Sequence, residues 1–414
     1  RRVVEAKYKL GLFSDPYKYC DTLRTKDVLY ADVHRAAARE IAAETFVLLK
    51  NTDNLLPLEQ KGRIALIGPM ADARNNMCGM WSKTWTPSRH ATLLESLRSA
   101  VGDKAEILYA KGSNIYYDER LEKGAVGIRP LERGDNRQLL DDALATAARA
   151  DIIVAALGEC AEMSGESASR TNLNIPDAQQ DLLKALVKTG KPVVLLLFTG
   201  RPLVLKSVEA NVHSMLNVWF GGCVTGDAIA DVLVGNMSPS CKLTTTFPRS
   251  VGQLPLFNNH LNTGRPDPDK STFNRYSSNY LDTTNEPLYP FGYGLSYTRF
   301  TYGDMHLSSE TLPENGDLTV SVTVSNVGNY DGYEIVQLYL HDLYAEIARS
   351  IKELKGFERI FLRKGESREV KFITPAADSK RYISELQYPN EPGEFDVMAG
   401  PNSRDAQTKR FKAE

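Results

Sequence analysis

The stretch IIVAALGECAEMSGESASR, residues 152–170, joins a short apolar run to a loop that is rich in glutamate and glycine. Its first six residues are continuously apolar, which is typical of a strand that is buried on both faces of a parallel sheet. Similar runs occur at residues 64–68, 106–109, 193–198 and, less evenly, 212–219. Helical patterns lie between these runs, at residues 136–150, 177–189 and 226–233. This alternation predicts an α/β sandwich with a mainly parallel sheet, whose functional loops follow the carboxyl ends of the strands.

The sequence on either side of this α/β region has a different texture. After residue 289 the apolar pattern changes to a period of two, at residues 318–324, 334–340 and 369–372. Short alternating strands separated by glycine turns predict a β-sandwich. Residues 1–60 show two helical patterns, at 1–10 and 31–49, which are too few to make a domain. Residues 251–290 are rich in Asn, Asp, Pro and Ser and are predicted to be a long connection.

Composition and motifs exclude several classes of function. The chain has 50 Lys and Arg residues against 52 Asp and Glu residues, so we expect no nucleic-acid partner, which would favour a basic surplus. No apolar run approaches the roughly 18 residues of a membrane helix, so we expect no membrane insertion. The five cysteines form no C-x-x-C pair, and no H-E-x-x-H, G-x-G-x-x-G or Walker motif occurs. We therefore expect no metal and no cofactor.

Three glutamates stand out in the loop that follows residues 152–157: Glu159, Glu162 and Glu166. Two of them lie beside glycines, at the edge where an α/β sheet places its ligand-binding loops. One interpretation is a solvated acidic loop without a specific role. The other is that one glutamate is a general acid, because a carboxyl on a mobile loop can be brought against a leaving-group oxygen.

The string from Ala156 to Thr171 resembles a loop of glycoside hydrolase family 3, and the likeness is greatest to the bacterial β-glucosidases of that family. Other strings resemble family segments in the expected order: LGLF (10–13), FVLLKN (46–51), LLPL (55–58), TGRPL (199–203), FPRSVGQLP (247–255), YPFGYGLSYT (289–298), LKGF (354–357) and EPGEF (391–395). The resemblance implies four segments. These are the end of a (β/α)8 barrel domain with a linker (1–60), an α/β sandwich domain (61–250), a connecting segment (251–290) and a fibronectin type III-like β-sandwich (291–414).

The resemblance also implies a retaining glycosidase that uses two carboxyl groups about 5–5.5 Å apart. Glu166 occupies the position of the general acid/base, with Ser164, Gly165 and Arg170 supporting its loop. The family's nucleophile is the aspartate of a Ser-Asp-Trp string, and no such string occurs here; Ser14-Asp15 is followed by Pro16. We therefore expect a C-terminal portion that lacks the nucleophile, is inactive alone, and depends on the missing barrel domain as its partner.

Two tryptophans follow the first α/β strand in the string CGMWSKTW, residues 78–85. Aromatic faces stack on the apolar C–H surfaces of sugars, so Trp85 and Trp81 are candidates for contacts to the substrate's leaving group. The structural interpretation is that Trp81 packs the loop. Trp219 lies at the end of a predicted strand and is expected in the core.

The expected substrate is a β-glucoside or an oligosaccharide with a terminal β-D-glucosyl residue. Within the family, a β-xylosidase or an N-acetylglucosaminidase is the alternative, although the Glu166 loop favours the glucosidase. Outside it, the alternative is a non-catalytic carbohydrate-binding or scaffold protein. The resemblance suggests a periplasmic or secreted protein, and the sequence leaves homo-oligomerisation open.

Overall fold

The structure is a computed structural model that describes residues 1–82, 86–120, 132–266, 274–380, 387–388 and 392–414. Within these residues the α-helices are α1 (Arg2–Lys9), α2 (Arg24–Val28), α3 (Asp32–Thr45), α4 (Leu93–Val101), α5 (Asn136–Ala148), α6 (Asp177–Val187), α7 (Lys206–Glu209) and α8 (Thr225–Leu233). The strands are β1 (Val47–Asn51), β2 (Arg63–Ile67), β3 (Glu106–Ala110), β4 (Ile152–Gly158), β5 (Val193–Phe198), β6 (Ser214–Asn217), β7 (Phe300–Tyr302), β8 (His306–Leu307), β9 (Thr311–Leu312), β10 (Asp317–Asn326), β11 (Gly332–Asp342), β12 (Glu353–Leu362), β13 (Ser367–Pro375), β14 (Gly393–Gly400) and β15 (Gln407–Ala413). None of the helices in this described part combines the length and the apolar composition that a membrane crossing needs.

The first sheet has the strand order β1-β6-β5-β4-β2-β3. Strands β2 to β6 are parallel to one another, and the edge strand β1 pairs antiparallel with β6. One face packs on α3, α4 and α8, and the other packs on α5, α6 and α7. Both faces of the sheet are therefore buried, which explains why its strands are continuously apolar. The predicted α/β sandwich with a mainly parallel sheet is confirmed.

The sequence pattern at residues 31–49 predicted one long helix, and this is wrong beyond Thr45. Helix α3 ends there, and residues 47–51 form the antiparallel edge strand β1. Leu48 packs into the helical layer of α3, whereas Val47 and Leu49 pack into the opposite layer. Pairing with β6 buries these side chains on both faces, which a helix on the surface of the sheet would not do. The sheet thus begins before residue 61, the boundary expected from the sequence.

The second half forms the predicted β-sandwich. Its sheets have the orders β13-β10-β7, with β8 also pairing with β10, and β12-β11-β14-β15-β9. Leu318, Val320, Val322 and Val324 of β10 are buried in the core between the sheets, and the intervening residues face outwards. This period-two pattern is the one that the sequence shows. Strands β12 and β15 were not predicted, because both carry charged side chains and are exposed over much of their length.

Residues 289–298 connect the two halves and contact both. On the β-sandwich side, Nε2 of Gln337 in β11 donates to the carbonyl of Gly292 (3.1 Å). The backbone N–H of Leu295 donates to the carbonyl of Leu48 in β1 (2.9 Å), and the hydroxyl of Tyr297 donates to the carbonyl of Val232 in α8 (2.7 Å). Beside this segment, the ammonium group of Lys242 lies 2.9 Å from the carboxylate of Glu334 in β11. The β-sandwich is therefore fixed to the α/β sandwich by both backbone and side-chain contacts.

Candidate active site

The sheet has a point at which the chain reverses its direction of winding, between the neighbouring strands β2 and β4. From β2 the chain moves outwards to β3, and from β4 it moves the other way, to β5 and β6. Loops that leave the carboxyl ends of such a strand pair separate and form a crevice, which is where open α/β sheets bind ligands. Trp81 follows β2 and Glu166 follows β4, so the chain topology places both sequence-predicted residues at this crevice.

Strand β4 ends in a tightly constrained backbone at Gly158. Its φ is +137°, and a Cβ atom there would lie only 1.9 Å from the carbonyl oxygen of Phe198 in β5. The buried side chain of Gln179 holds this residue on the other side. Gly158 donates its N–H to Oε1 of Gln179 (2.8 Å), and Nε2 of Gln179 donates to the carbonyl of Gly158 (2.9 Å). The direction in which the acidic loop leaves the sheet is therefore fixed.

Glu159, the first residue of that loop, is fully buried and carries a dense set of polar contacts. Nη1 of Arg170 donates to its Oε1 (2.6 Å), and Nε of Arg201 lies 3.1 Å from the same oxygen. The hydroxyl of Thr199 and the backbone N–H of Gly200 donate to Oε2, at 2.8 and 2.9 Å. Two cations and two neutral donors thus compensate one buried carboxylate, as burial of a charge requires.

The two arginines also bind the backbone of the loop. Nη2 of Arg201 donates to the carbonyls of Met163 (2.5 Å) and Ala168 (2.7 Å), on either side of Glu166. Nη2 of Arg170 donates to the carbonyl of Asn174 (2.9 Å), further along the chain. Residues 164–167 therefore form a short tip that is anchored at both ends, in which Glu166 and Ser167 are exposed.

Glu166 lies at this tip and is exposed to solvent. The residue before it, Gly165, has a φ of +101°, which L side chains rarely adopt. A Cβ atom at Gly165 would lie 3.0 Å from Cγ of Met80 and 3.5 Å from Nε1 of Trp81, so the loop after β2 packs directly against the tip. The structure brings Trp81 and the loop of Glu166 together.

The other sequence-predicted residues have distinct positions. Ser164 packs on Gly200, where an added Cβ would lie 1.9 Å from the Ser164 hydroxyl oxygen. Trp81 is 65% exposed. Trp85 lies outside the described residues. Trp219 packs on Phe247 at the edge of the core, with 6.2 Å between ring centroids.

Within the described ranges, no group of three or more His, Cys, Asp or Glu side chains is arranged to hold a metal ion. The chemical equipment of the crevice is an exposed carboxyl on an anchored loop, next to an exposed indole. A carboxyl in this position can exchange a proton with a bound molecule, and the indole can stack on an apolar face of it.

The roles of Glu159 and Arg201 were missed from the sequence. The available signal was the place of Glu159 directly after a buried strand, where a charge needs a partner. Two arginines that follow neighbouring segments, Arg170 and Arg201, could have supplied that partner. The distance of 42 residues between Glu159 and Arg201 hides the contact from any local pattern.

Comparison with known proteins matches this architecture to a family. A profile described as the glycosyl hydrolase family 3 C-terminal domain matches residues 46–297, and one described as a fibronectin type III-like domain matches residues 334–403. The chain belongs to glycoside hydrolase family 3. The family predicted from the sequence strings is therefore confirmed, as is the fibronectin type III-like character of the second half.

Several family members are similar to nearly the whole chain. The periplasmic β-glucosidase of Salmonella typhimurium is 45% identical over 413 residues, which cover 97% of this chain and 53% of the relative. A β-xylosidase of Formosa agariphila is 37% identical over 409 residues, with the same coverage. The crystal structure of a β-glucosidase from Listeria innocua in complex with isofagomine has a TM-score of 0.89 and 35% identity, and covers 100% of this chain and 54% of that one. The same Listeria enzyme has been crystallised with glucose and, as a mutant, with laminaribiose. The chain spans about half the length of the relatives it matches.

Proposed function

We propose that this chain supplies the general acid/base, Glu166, of a retaining β-glucosidase. The observation that carries the proposal is the position of the Glu166 carboxyl, which is exposed on a doubly anchored loop at the crevice between β2 and β4. The neighbouring Trp81 supports it, because an exposed indole beside a proton donor suits the departing part of a glycoside. We propose Ser164, Gly165 and Arg170 as the residues that support the tip.

In the proposed first step, an aspartate attacks the anomeric carbon while Glu166 protonates the oxygen of the departing group. In the second step, Glu166 removes a proton from water as the water releases the sugar. We place the attacking aspartate outside these 414 residues, because they contain no Ser-Asp-Trp string. On this proposal the 414 residues alone do not hydrolyse a β-glucoside.

The proposed substrate is a terminal β-D-glucosyl residue. The names of the Salmonella and Listeria relatives support this choice, as do the Listeria complexes with glucose and laminaribiose. The β-xylosidase of Formosa agariphila favours a second candidate, a β-xyloside. Comparison of kcat/KM for matched aryl β-glucosides and β-xylosides separates the two. The name of the Salmonella relative also supports a periplasmic location for the whole protein.

The acid/base role is tested by Glu166→Gln in the full-length protein, assayed on two β-glucosides. For a poor leaving group such as methanol, kcat/KM is expected to fall about 10²–10⁴-fold, because this oxygen must be protonated as it departs. For 2,4-dinitrophenolate, a stable anion, the loss is expected to be small. Azide, which needs no general base, is expected to accelerate turnover of the activated substrate by the variant.

Glu162→Gln is the matched control, since it removes a carboxylate from the same loop four residues away. It should leave the ratio of kcat/KM between the two substrates unchanged. If Glu166→Gln lowered kcat/KM equally for both glucosides, Glu166 would not be the acid.

A further inference from the structure

The buried polar cluster beneath the acidic loop takes no part in the two chemical steps above, and of its members only Arg170 has so far been given a supporting role. It consists of the carboxylate of Glu159, the guanidinium groups of Arg170 and Arg201, and the donors from Thr199 and Gly200. We propose that Glu159 is a positioning residue, which sets the location of the Glu166 carboxyl through the two arginines. This inference rests on the proposed acid/base role of Glu166.

Glu159 forms a buried ion pair with each of the two arginines. Its side chain is fully buried, and those of Arg170 and Arg201 are only 11% and 22% exposed. Water is largely excluded from these ion pairs, so the attraction between the charges is screened much less than at the surface. Arg170 is held by a hydrogen bond from its Nη1 to this carboxylate, and Arg201 by the attraction between opposite charges at a distance of 3.1 Å.

Arg201 transmits this constraint to the tip of the loop. One nitrogen, Nη2, donates to the carbonyls of both Met163 and Ala168, while Nε faces Glu159. The spacing between Met163 and Ala168 is therefore set by a single rigid group, and Glu166 lies between them. Displacement of that guanidinium would move both ends of the tip.

Arg170 constrains the chain after the tip in the same way. Its Nη1 donates to Glu159, and its Nη2 donates to the carbonyl of Asn174 and to the hydroxyl of Tyr116. Thr199 and Gly200, which directly follow β5, donate hydrogen bonds to the other oxygen of the Glu159 carboxylate. The cluster therefore connects the loop after β4 to the end of the neighbouring strand β5. A general acid must be held close to its productive position, because an error of about 1 Å can cost roughly 10²-fold in rate.

A purely structural role for Glu159 makes a different prediction from a positioning role. Lost structure lowers activity on every substrate, whereas a displaced acid lowers it only where protonation matters. The test is Glu159→Gln in the full-length protein, with the methyl and 2,4-dinitrophenyl β-glucosides. We expect kcat/KM to fall about 10–100-fold for the methyl glucoside and to stay within about 3-fold for the activated one.

The double variant Glu159→Gln/Glu166→Gln is decisive. If Glu159 acts through Glu166, its substitution should cause no further loss on the methyl glucoside once Glu166 is already changed, because coupled residues are non-additive. Equal losses on the two substrates, or the same fold loss with and without Glu166, would overturn the inference while leaving the acid/base role intact. Failure of Glu166→Gln to discriminate the substrates would overturn both.

Two further variants keep the test interpretable. Thr199→Val removes the hydroxyl that contacts Glu159 and the backbone of Arg201, and it retains both ion pairs. It should therefore fold if Glu159→Gln does not, with a smaller selective loss of about 3–10-fold. Glu334→Gln is the matched control, since it disrupts another buried carboxylate pair, with Lys242, far from the loop in the sequence and in the other sandwich. It should leave the ratio of kcat/KM between the two glucosides unchanged. A loss of kcat/KM on the methyl glucoside alone in Glu334→Gln would overturn the inference. If Glu159→Gln fails to fold, the absence of such a loss in Thr199→Val would also overturn it.

Discussion

Two glutamates seven residues apart illustrate how environment, rather than residue type, determines what a carboxyl group can do. Glu159 is fully buried, and its two carboxylate oxygens accept three hydrogen bonds from fixed donors of the protein. Glu166 is exposed at a tip whose ends are anchored. A buried carboxylate that is held by fixed donors organises its neighbours, whereas an exposed carboxyl can exchange protons with a ligand. The candidate site contains one carboxyl group of each kind, buried in Glu159 and exposed in Glu166.

His90 gives a prediction about pH at the scale of a single residue. Burial lowers its pKa below the usual 6.5, and the positive charges of Arg74 and Arg35 lower it further. In the unfolded chain the imidazole keeps an ordinary pKa near 6.5, so below that pH the unfolded state takes up the proton first. The contribution of His90 to stability is therefore complete above about pH 6.5 and decreases as the pH falls towards the pKa of the folded state.

Thermal unfolding midpoints between pH 8 and pH 5 test this prediction for the 414-residue chain and for His90→Gln. The midpoint of the unsubstituted chain should fall more steeply with decreasing pH than that of the variant. Each unit of difference between the folded and unfolded pKa corresponds to about 1.4 kcal/mol. His34→Gln, at an exposed histidine of α3, is the control and should follow the unsubstituted chain. Parallel curves for His90→Gln and the unsubstituted chain would contradict the prediction.

At the scale of elements, the sequence was informative wherever burial imposes a simple period. Strands β4 and β5 are apolar throughout because both of their faces are covered, and β10 alternates because only one face is. The error at residues 46–49 has a physical cause: Leu48 and Leu49 suit a helix as well as a strand, and only pairing with β6 decides between them. Strands β12 and β15 have long exposed stretches, so the alternation that burial produces is weak.

The residues of the candidate site also fall into those that the sequence could predict and those that it could not. The position of Glu166 on a loop after a buried strand is a local property, so the sequence could place it. The cluster around Glu159 depends on Arg201 and Thr199 from a neighbouring strand end, and its donors come together only when β4 and β5 pair. Contacts of this kind have no period and no fixed spacing. They could not be predicted from the chain alone.

The close approach of β4 and β5 leads to a prediction at this scale. Gly158→Ala would place a methyl group 1.9 Å from the carbonyl oxygen of Phe198, in a backbone conformation that alanine rarely adopts. We expect Gly158→Ala to lower the free energy of unfolding by more than about 3 kcal/mol, because the clash is with backbone that cannot move aside. Gly190→Ala is the matched control: its φ is +73°, and no atom lies within 4 Å of an added Cβ. The free energy of unfolding of Gly190→Ala should be only about 1 kcal/mol lower than that of the unsubstituted chain. Thermal unfolding midpoints compare the two, and similar shifts would show that Gly158 is less constrained than its surroundings indicate.

At the scale of the whole molecule, the two sandwiches meet around the segment 289–298 and the buried pair of Lys242 and Glu334. The carboxylate of Glu334 accepts from the hydroxyl of Tyr302 (3.2 Å) and faces the ammonium group of Lys242, which also donates to the carbonyl of Gly294 (2.8 Å). Burial raises the pKa of Tyr302, so this hydroxyl keeps its proton and remains a donor. The sequence resemblance predicted both sandwiches and their order. It could not show which charges connect them.

Glu334→Gln tests how strongly this pair couples the sandwiches. The substitution leaves the ammonium group of Lys242 buried without its counter-charge, and breaking one partner of a buried pair typically costs about 3–5 kcal/mol. We expect calorimetry to show a lower unfolding temperature, with the β-sandwich separating as an earlier transition. Lys242→Met/Glu334→Leu, which removes both charges, should recover much of the loss, because two apolar groups leave no uncompensated charge. Glu369→Gln, at the exposed pair with Lys371, is the control and should change stability by less than about 1 kcal/mol. If Glu334→Gln were no more destabilising than Glu369→Gln, the buried pair would not hold the two sandwiches together, and the backbone contacts of residues 289–298 would have to suffice.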